Sequence, residues 1–342
     1  LIDRQEVVVD RFIILASALA VVCGGMVTSG QSPKPRLNPV IALIEQQKPV
    51  FGLYAPSNRR VPPGPGSVGA AVQLPPKSAA ELAKEAIDYK AGDFVFDGSM
   101  EGDFDRGYAT FGQLAAAMGQ IGIVSTSPFK RLTHPLIVKA PEIAPDPVKV
   151  AAQIGRQLNL GVSGVMFVSV ESADEVRQGL AAMRFASKGG TRTADVGAAP
   201  KLWGLSETEY RQKADLWPLN ADGELINWTI VESKAGLDRV REIAAVPGIG
   251  VLWPGAGTLR QVFSSDVNGK RVLDETAWEA AIQKVLAACK EFKIACGYPA
   301  NATDIELRMK QGFSVFVANW GEGGFKTVEL GRSLSRRTDT SR

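Results

Sequence analysis

The chain has 342 residues, 45 % of them hydrophobic and 22 % charged, with a formal net charge of +3. This is ordinary globular composition, with enough apolar material for a sizeable core in one large domain or two smaller ones. So small a charge, without a basic stripe interleaved with aromatics, argues against nucleic acid as a partner.

The first 30 residues read differently from the rest. Arg4 and Arg11 precede the apolar run Phe12–Cys23, and small residues follow (GGMVTSG). That is the layout of a signal peptide over residues 1–30, cleaved after Gly30. The run is short for a bilayer span of ~20 residues. An uncleaved anchor is the lesser reading, and it would be the chain's only membrane contact. The mature protein is thus expected to be exported, periplasmic or secreted. Its folded domain is expected over residues 31–332, with a polar, disordered tail at 333–342.

After a short helix at Asn38–Gln47, apolar runs of strand length alternate with helical patterns. The strands are expected at Pro49–Ala55, Asp93–Phe96, Pro135–Ala140, Gly164–Val170, Ile226–Val231, Gly248–Trp253, Lys293–Gly297 and Ser314–Ala318. The helices are expected at Ser78–Lys90, Tyr108–Ile121, Pro147–Leu158, Ala173–Phe185, Gly236–Ala245, Glu275–Phe292 and Thr303–Gln311. Strict alternation implies parallel pairing with right-handed crossovers. The eight units predict an α/β fold, a (β/α)8 TIM barrel, with a doubly wound open sheet as the alternative. Two insertions interrupt the rhythm, Arg59–Pro76 and Ala186–Asp222. Trp203, Trp217 and Trp228 lie in or beside the second, as packing aromatics or as part of a lid or subunit contact. Cys289 falls in a helical pattern and Cys296 on the next strand. Two buried free thiols are expected there, although an exported protein permits a disulfide.

In a barrel, chemistry sits at the C-terminal ends of the strands. Those ends carry Tyr54, Glu101, Lys139, Glu171, Glu232 and the glycine-rich run Pro254–Gly257. His134, the only histidine, precedes the third strand and reads as structural, so neither a Ser-His-Asp triad nor a zinc site built on histidine is available. A ring of oxygen ligands suits Mg²⁺ or Mn²⁺, with Glu232 as the metal ligand. A carboxylate, a divalent ion and a neighbouring cation, Lys139, together can stabilise an enolate. The alternative for Glu232 is pairing with Lys234, Arg260 or a helix N-terminus. The backbone of Gly255, Ala256 and Gly257 can donate N–H groups to a substrate carboxylate.

Several segments in order resemble the HpcH/HpaI aldolase/citrate lyase family: NPVIALIEQQKPVFGLY, DFVFDGSMEG, NLGVSGVMFVSVESADEVRQGLAAMRF with GGTR, VESKAGLDRVREIAAVPGIG and GFSVFVANW. The resemblance covers most of residues 38–325. It implies a TIM barrel, a homo-oligomer, and a divalent metal held by a Glu and an Asp. The reaction it implies is carbon–carbon lyase chemistry on a pyruvate-derived 2-oxo acid through an enolate, as in class II aldolases. Glu232 matches the family's metal-binding Glu. Gly257 or Thr258 stands in place of the Asp, Lys139 in place of an Arg, and Gly102 in place of a proton-shuttling His. Glu101, or a metal-bound water, is left to replace that proton shuttle, and Lys139 is the other candidate catalytic residue. The alternative function is a non-catalytic exported protein that binds a small carboxylate on the same barrel.

Overall fold

The computed structural model describes residues 35–58 and 75–338. The signal-peptide segment and most of the first insertion lie outside the described residues. Eight parallel strands form the centre: β1 (Val50–Tyr54), β2 (Val95–Asp97), β3 (Leu136–Lys139), β4 (Gly164–Phe167), β5 (Leu225–Val231), β6 (Ile249–Pro254), β7 (Ala295–Pro299) and β8 (Val315–Ala318). Each pairs with its chain neighbours, and β8 pairs with β1, so the sheet closes into a (β/α)8 barrel. All eight expected strands are present. They read as apolar runs because both faces are covered, one by the barrel interior and one by the helices.

The two faces follow the period of two along each strand. On β5 the inward set is Ile226, Trp228 and Ile230, and on β2 it begins at Phe94 and Phe96. Together with Met166, Trp253 and Val317 these fill the barrel. Phe51, Leu53, Val138 and Leu252 face outward into the larger core beneath the helices. Inside, the Trp228 indole stacks on Trp253 at 5.4 Å between centroids and on Phe96 at 5.9 Å. Gly297 on β7 makes that arrangement possible, since a Cβ there would lie 1.8 Å from the Trp253 ring. Helix Pro39–Glu45 closes the N-terminal end of the barrel, its Val40 and Ile41 packed into the same interior cluster.

Several expectations need correction. The helix expected at Gly236–Ala245 is two short helices, Lys234–Asp238 and Val240–Ala244, separated by Arg239 at φ −107°, ψ 12°. The second insertion is ordered rather than a loop. It contains helices Ala199–Leu202 and Glu207–Lys213 and a strand, Leu216–Trp217, that pairs with β5. Trp203 there is fully buried, and its indole N–H donates to the Gly161 carbonyl at 2.8 Å, so it packs rather than forming a lid. The expected disordered tail is folded through residue 338. Helix Glu322–Leu334 packs on the barrel, and beyond it Arg337 makes a two-pronged ion pair with Asp93 at 2.6 and 2.9 Å. Residues 339–342 lie outside the described residues.

Cys289 and Cys296 form a disulfide, not two thiols. Helix Glu275–Phe292 ends with Lys293 in the left-handed conformation, which turns the chain back and brings the two Cα atoms to 5.6 Å. Cys289→Ser is expected to lower stability by about 2 kcal/mol, the chain-entropy value for a loop this short. Urea unfolding with and without reductant measures it, since reductant should cost the native protein the same amount and leave the variant unchanged. His134 is buried with its Nδ1 2.9 Å from the Thr133 hydroxyl, at the end of β3 remote from the strand tips.

Candidate active site

The inward period continues past the last packed residue of each strand, and there the side chains change character. On β5 the inward sequence Trp228, Ile230 reaches Glu232. On β3, Ile137 is followed inward by Lys139, and on β1, Gly52 is followed by Tyr54. These groups meet around a cavity of about 190 Å³ at the C-terminal mouth, whose rim includes Lys139, Glu232, Gly255, Ala256, Gly257 and Thr258. Its floor is Phe96, Met166, Ile230, Trp253 and Val317.

Lys139 is mostly buried, and its ammonium donates to Glu101 Oε2 at 2.7 Å. Glu101 comes from the turn that follows β2, so the pair ties two neighbouring strand tips together. Gln157 fixes the backbone beneath it, donating from Nε2 to the Lys139 carbonyl at 2.8 Å. Gly102 is exposed and is not among the residues that line the cavity.

Glu232 is only 6 % exposed. Its Oε1 accepts the Ser169 N–H at 3.0 Å and the Ser169 hydroxyl at 3.4 Å, and Ser169 adopts φ 50° to present both. Neither Lys234 nor Arg260 pairs with it. Lys234 lies over the Phe263 ring at 5.8 Å, and Arg260 binds Glu275 at 3.2 Å. A buried carboxylate without a cation is costly to maintain, and Glu232 has no ion pair among the described residues. Its second oxygen faces Gly255, where a Cβ would approach to 2.6 Å. Glycine at 255 therefore keeps space open beside that oxygen.

A divalent ion at Glu232 would have one protein carboxylate, and water and substrate oxygens would have to complete its shell. Among the described residues a second acidic ligand is not in place. Glu101 is taken up by Lys139 and Glu171 accepts the Ser233 hydroxyl at 2.6 Å. Among the described residues no three His, Cys, Asp or Glu side chains converge.

The glycine-rich run after β6 is not an open loop. Helix Ala256–Val262 starts there, and the Gly255 N–H donates to the Val231 carbonyl at 3.0 Å. Of the three residues expected to seat a carboxylate, Gly255 therefore has its N–H engaged. Ala256 and Gly257 occupy the first helical turn, where N–H groups have no partner within the helix, and both border the cavity. The apolar floor residues were not singled out from the sequence. The signal was there in the alternation Phe94/Phe96, Trp228/Ile230 and Val315/Val317, which places them on the inward face.

A closed parallel barrel with a carboxylate, a lysine and free backbone donors at its mouth defines an enzyme-type barrel site. Residues 122–327 match the sequence profile of the HpcH/HpaI aldolase/citrate lyase family. The chain belongs to that family, one of aldolase- and lyase-type enzymes. Solved structures share the fold. An HpcH/HpaI aldolase/citrate lyase family protein from Burkholderia cenocepacia J2315 superposes with a TM-score of 0.58 at 20 % identity, over 87 % of this chain and 97 % of that one. The HpcH/HpaI aldolase from Desulfitobacterium hafniense DCB-2 gives 0.57 at 14 %, over 88 % and 96 %. Macrophomate synthase gives 0.55 at 17 %, over 88 % and 89 %. Among curated protein sequences, none matches this chain.

Proposed function

We propose that this chain is a carbon–carbon lyase of the aldolase type that acts on a 2-oxo acid through an enolate at the barrel mouth. The observation that supports this most is Glu232, a buried carboxylate without an ion pair beside the cavity that Lys139 also lines. Bound at Glu232, Mg²⁺ or Mn²⁺ supplies Lewis-acid polarisation of the substrate carbonyl. The chain's own groups do the rest. Lys139 neutralises the charge that develops on the enolate oxygen. Glu101, one hydrogen bond from Lys139, takes up and returns the C3 proton. The first-turn N–H groups of Ala256 and Gly257 orient the substrate carboxylate. The mature protein acts outside the cytoplasm in this reading, which the Cys289–Cys296 disulfide supports.

Lys139→Met is expected to lower turnover of a 2-oxo acid by at least about 10², the lower range for loss of one charge-stabilising donor. Exchange of the C3 protons in D₂O, followed by NMR, measures it. A variant as active as the native protein overturns the role of Lys139. A non-catalytic carboxylate-binding protein is the second reading. It is favoured by the exposed glycine at 102 and by the lack of a second acid beside Glu232 among the described residues. A ligand-induced thermal shift that EDTA leaves unchanged, without proton exchange, would select it.

A further inference from the structure

The rim and floor of the mouth cavity differ in kind. Among the described lining residues Lys139 is the one cation, and it already neutralises Glu101. The other charged lining group is Glu232, an anion. The floor is apolar: Phe96, Met166, Ile230, Trp253 and Val317 are each at least 96 % buried, so what surface they keep is the surface facing this space. The floor is also held rigidly. Trp253 stacks on the Trp228 ring, 5.4 Å away and 11° from parallel, and its own ring occupies the space that Gly297 leaves free.

From this we infer that the site selects a 2-oxo monocarboxylic acid with an apolar tail, branched aliphatic or single-ring, over small dicarboxylates. The inference rests on the reading of the cavity as a 2-oxo acid site. Lys139, the single lining cation, can meet one carboxylate. A second carboxylate, carried deeper, would lie over indole and phenyl carbon with no protein cation to meet it, and burying an unpaired charge is strongly unfavourable. An alkyl or aryl tail instead leaves water for a preformed apolar surface, and each buried methylene strengthens binding several-fold. The cavity, about 190 Å³, accommodates such a tail. Gly297 sets its depth by letting the Trp253 ring withdraw, which makes it a specificity-determining residue although it does not line the cavity.

The test is calorimetric titration of the full chain, with Mg²⁺ present, using pyruvate, oxaloacetate, 4-methyl-2-oxopentanoate and phenylpyruvate. The two apolar acids should bind at least about tenfold more tightly than pyruvate, and oxaloacetate no more tightly than pyruvate. Gly297→Val, which pushes the Trp253 ring into the cavity, should erase the advantage while pyruvate binding persists. If that variant does not fold, the ligand series on the native protein decides alone. Oxaloacetate binding tightest, or all four acids binding equally, overturns the inference. Following C3 proton exchange of each acid separates it from the functional reading. The predicted ranking without exchange keeps the specificity and rejects the lyase. Exchange with the reverse ranking does the opposite. No binding of any acid rejects both.

Discussion

Glu232→Gln is expected to abolish activity while leaving the unliganded protein as stable as before, or slightly more so. The substitution keeps shape and volume, and the amide oxygen can still accept the Ser169 N–H that Glu232 accepts at 3.0 Å. What disappears is a negative charge that is 6 % exposed and has no ion pair among the described residues. Keeping such a charge away from water costs folding free energy, and removing it should return about 1 kcal/mol, as is common where function opposes stability. Activity should move the other way. Loss of the one protein carboxylate at the metal position should lower kcat/KM by at least about 10² and remove any Mg²⁺- or Mn²⁺-dependent rise in Tm. Thermal unfolding with and without the ions, alongside turnover, reads both signs. If the variant is destabilised and still gains stability from the ions, Glu232 is a structural residue and the site lies elsewhere.

Asp93→Ala is expected to cost about 3–5 kcal/mol, the usual range when one partner of a buried ion pair is removed. Asp93 sits just before β2 and accepts two hydrogen bonds from Arg337 and one from the Phe51 N–H at 2.8 Å. Arg337 also donates to the Pro49 carbonyl at 2.7 Å. The carboxylate thus joins the entrance of β1, the entrance of β2 and the chain beyond the last helix. Its loss takes the carboxylate away from a guanidinium that is only 4 % exposed. Urea unfolding should show a lower midpoint with an unchanged slope. Arg337→Ala should cost less, because Arg332 still lies 3.4 Å from Asp93, and the double variant less than the sum of the two singles, since the two groups share one network. Strict additivity would mean that the tail does not anchor the barrel.

The barrel was legible because strands covered on both faces must be apolar along their whole length, and the eight runs alternate with helices at a regular spacing. The last helix was not legible. Glu322–Leu334 carries three glycines, and its sequence continues directly into a polar terminus, so its order comes from packing on β1 and β8 and from the Arg337–Asp93 pair. At the site, Lys139 and Glu232 could be read from strand register, because each stands two residues beyond a buried inward residue. The Lys139–Glu101 pair could not, since it joins residues 38 apart and depends on the turn after β2 aiming Glu101 at the tip of the neighbouring strand β3. The helix that begins at Ala256 was hidden by its glycines, which by themselves disfavour helix. Its start is fixed instead by the Gly255 N–H bonding to Val231 across the neighbouring strand. The disulfide was missed for a similar reason, because the left-handed turn at Lys293 that brings the cysteines together leaves no mark in the sequence.

The central claim is that the barrel mouth ionises C3 of a bound 2-oxo acid with the help of Glu232 and a divalent ion. The most direct measurement is proton NMR of a 2-oxo acid in D₂O with the purified protein, with Mg²⁺ or Mn²⁺ and again with EDTA. Loss of the C3 proton signal in the presence of the ion, its retention with EDTA, and its retention with Glu232→Gln are the predicted results. Retention of the signal by the native protein under every metal condition, with the acid bound, would contradict it.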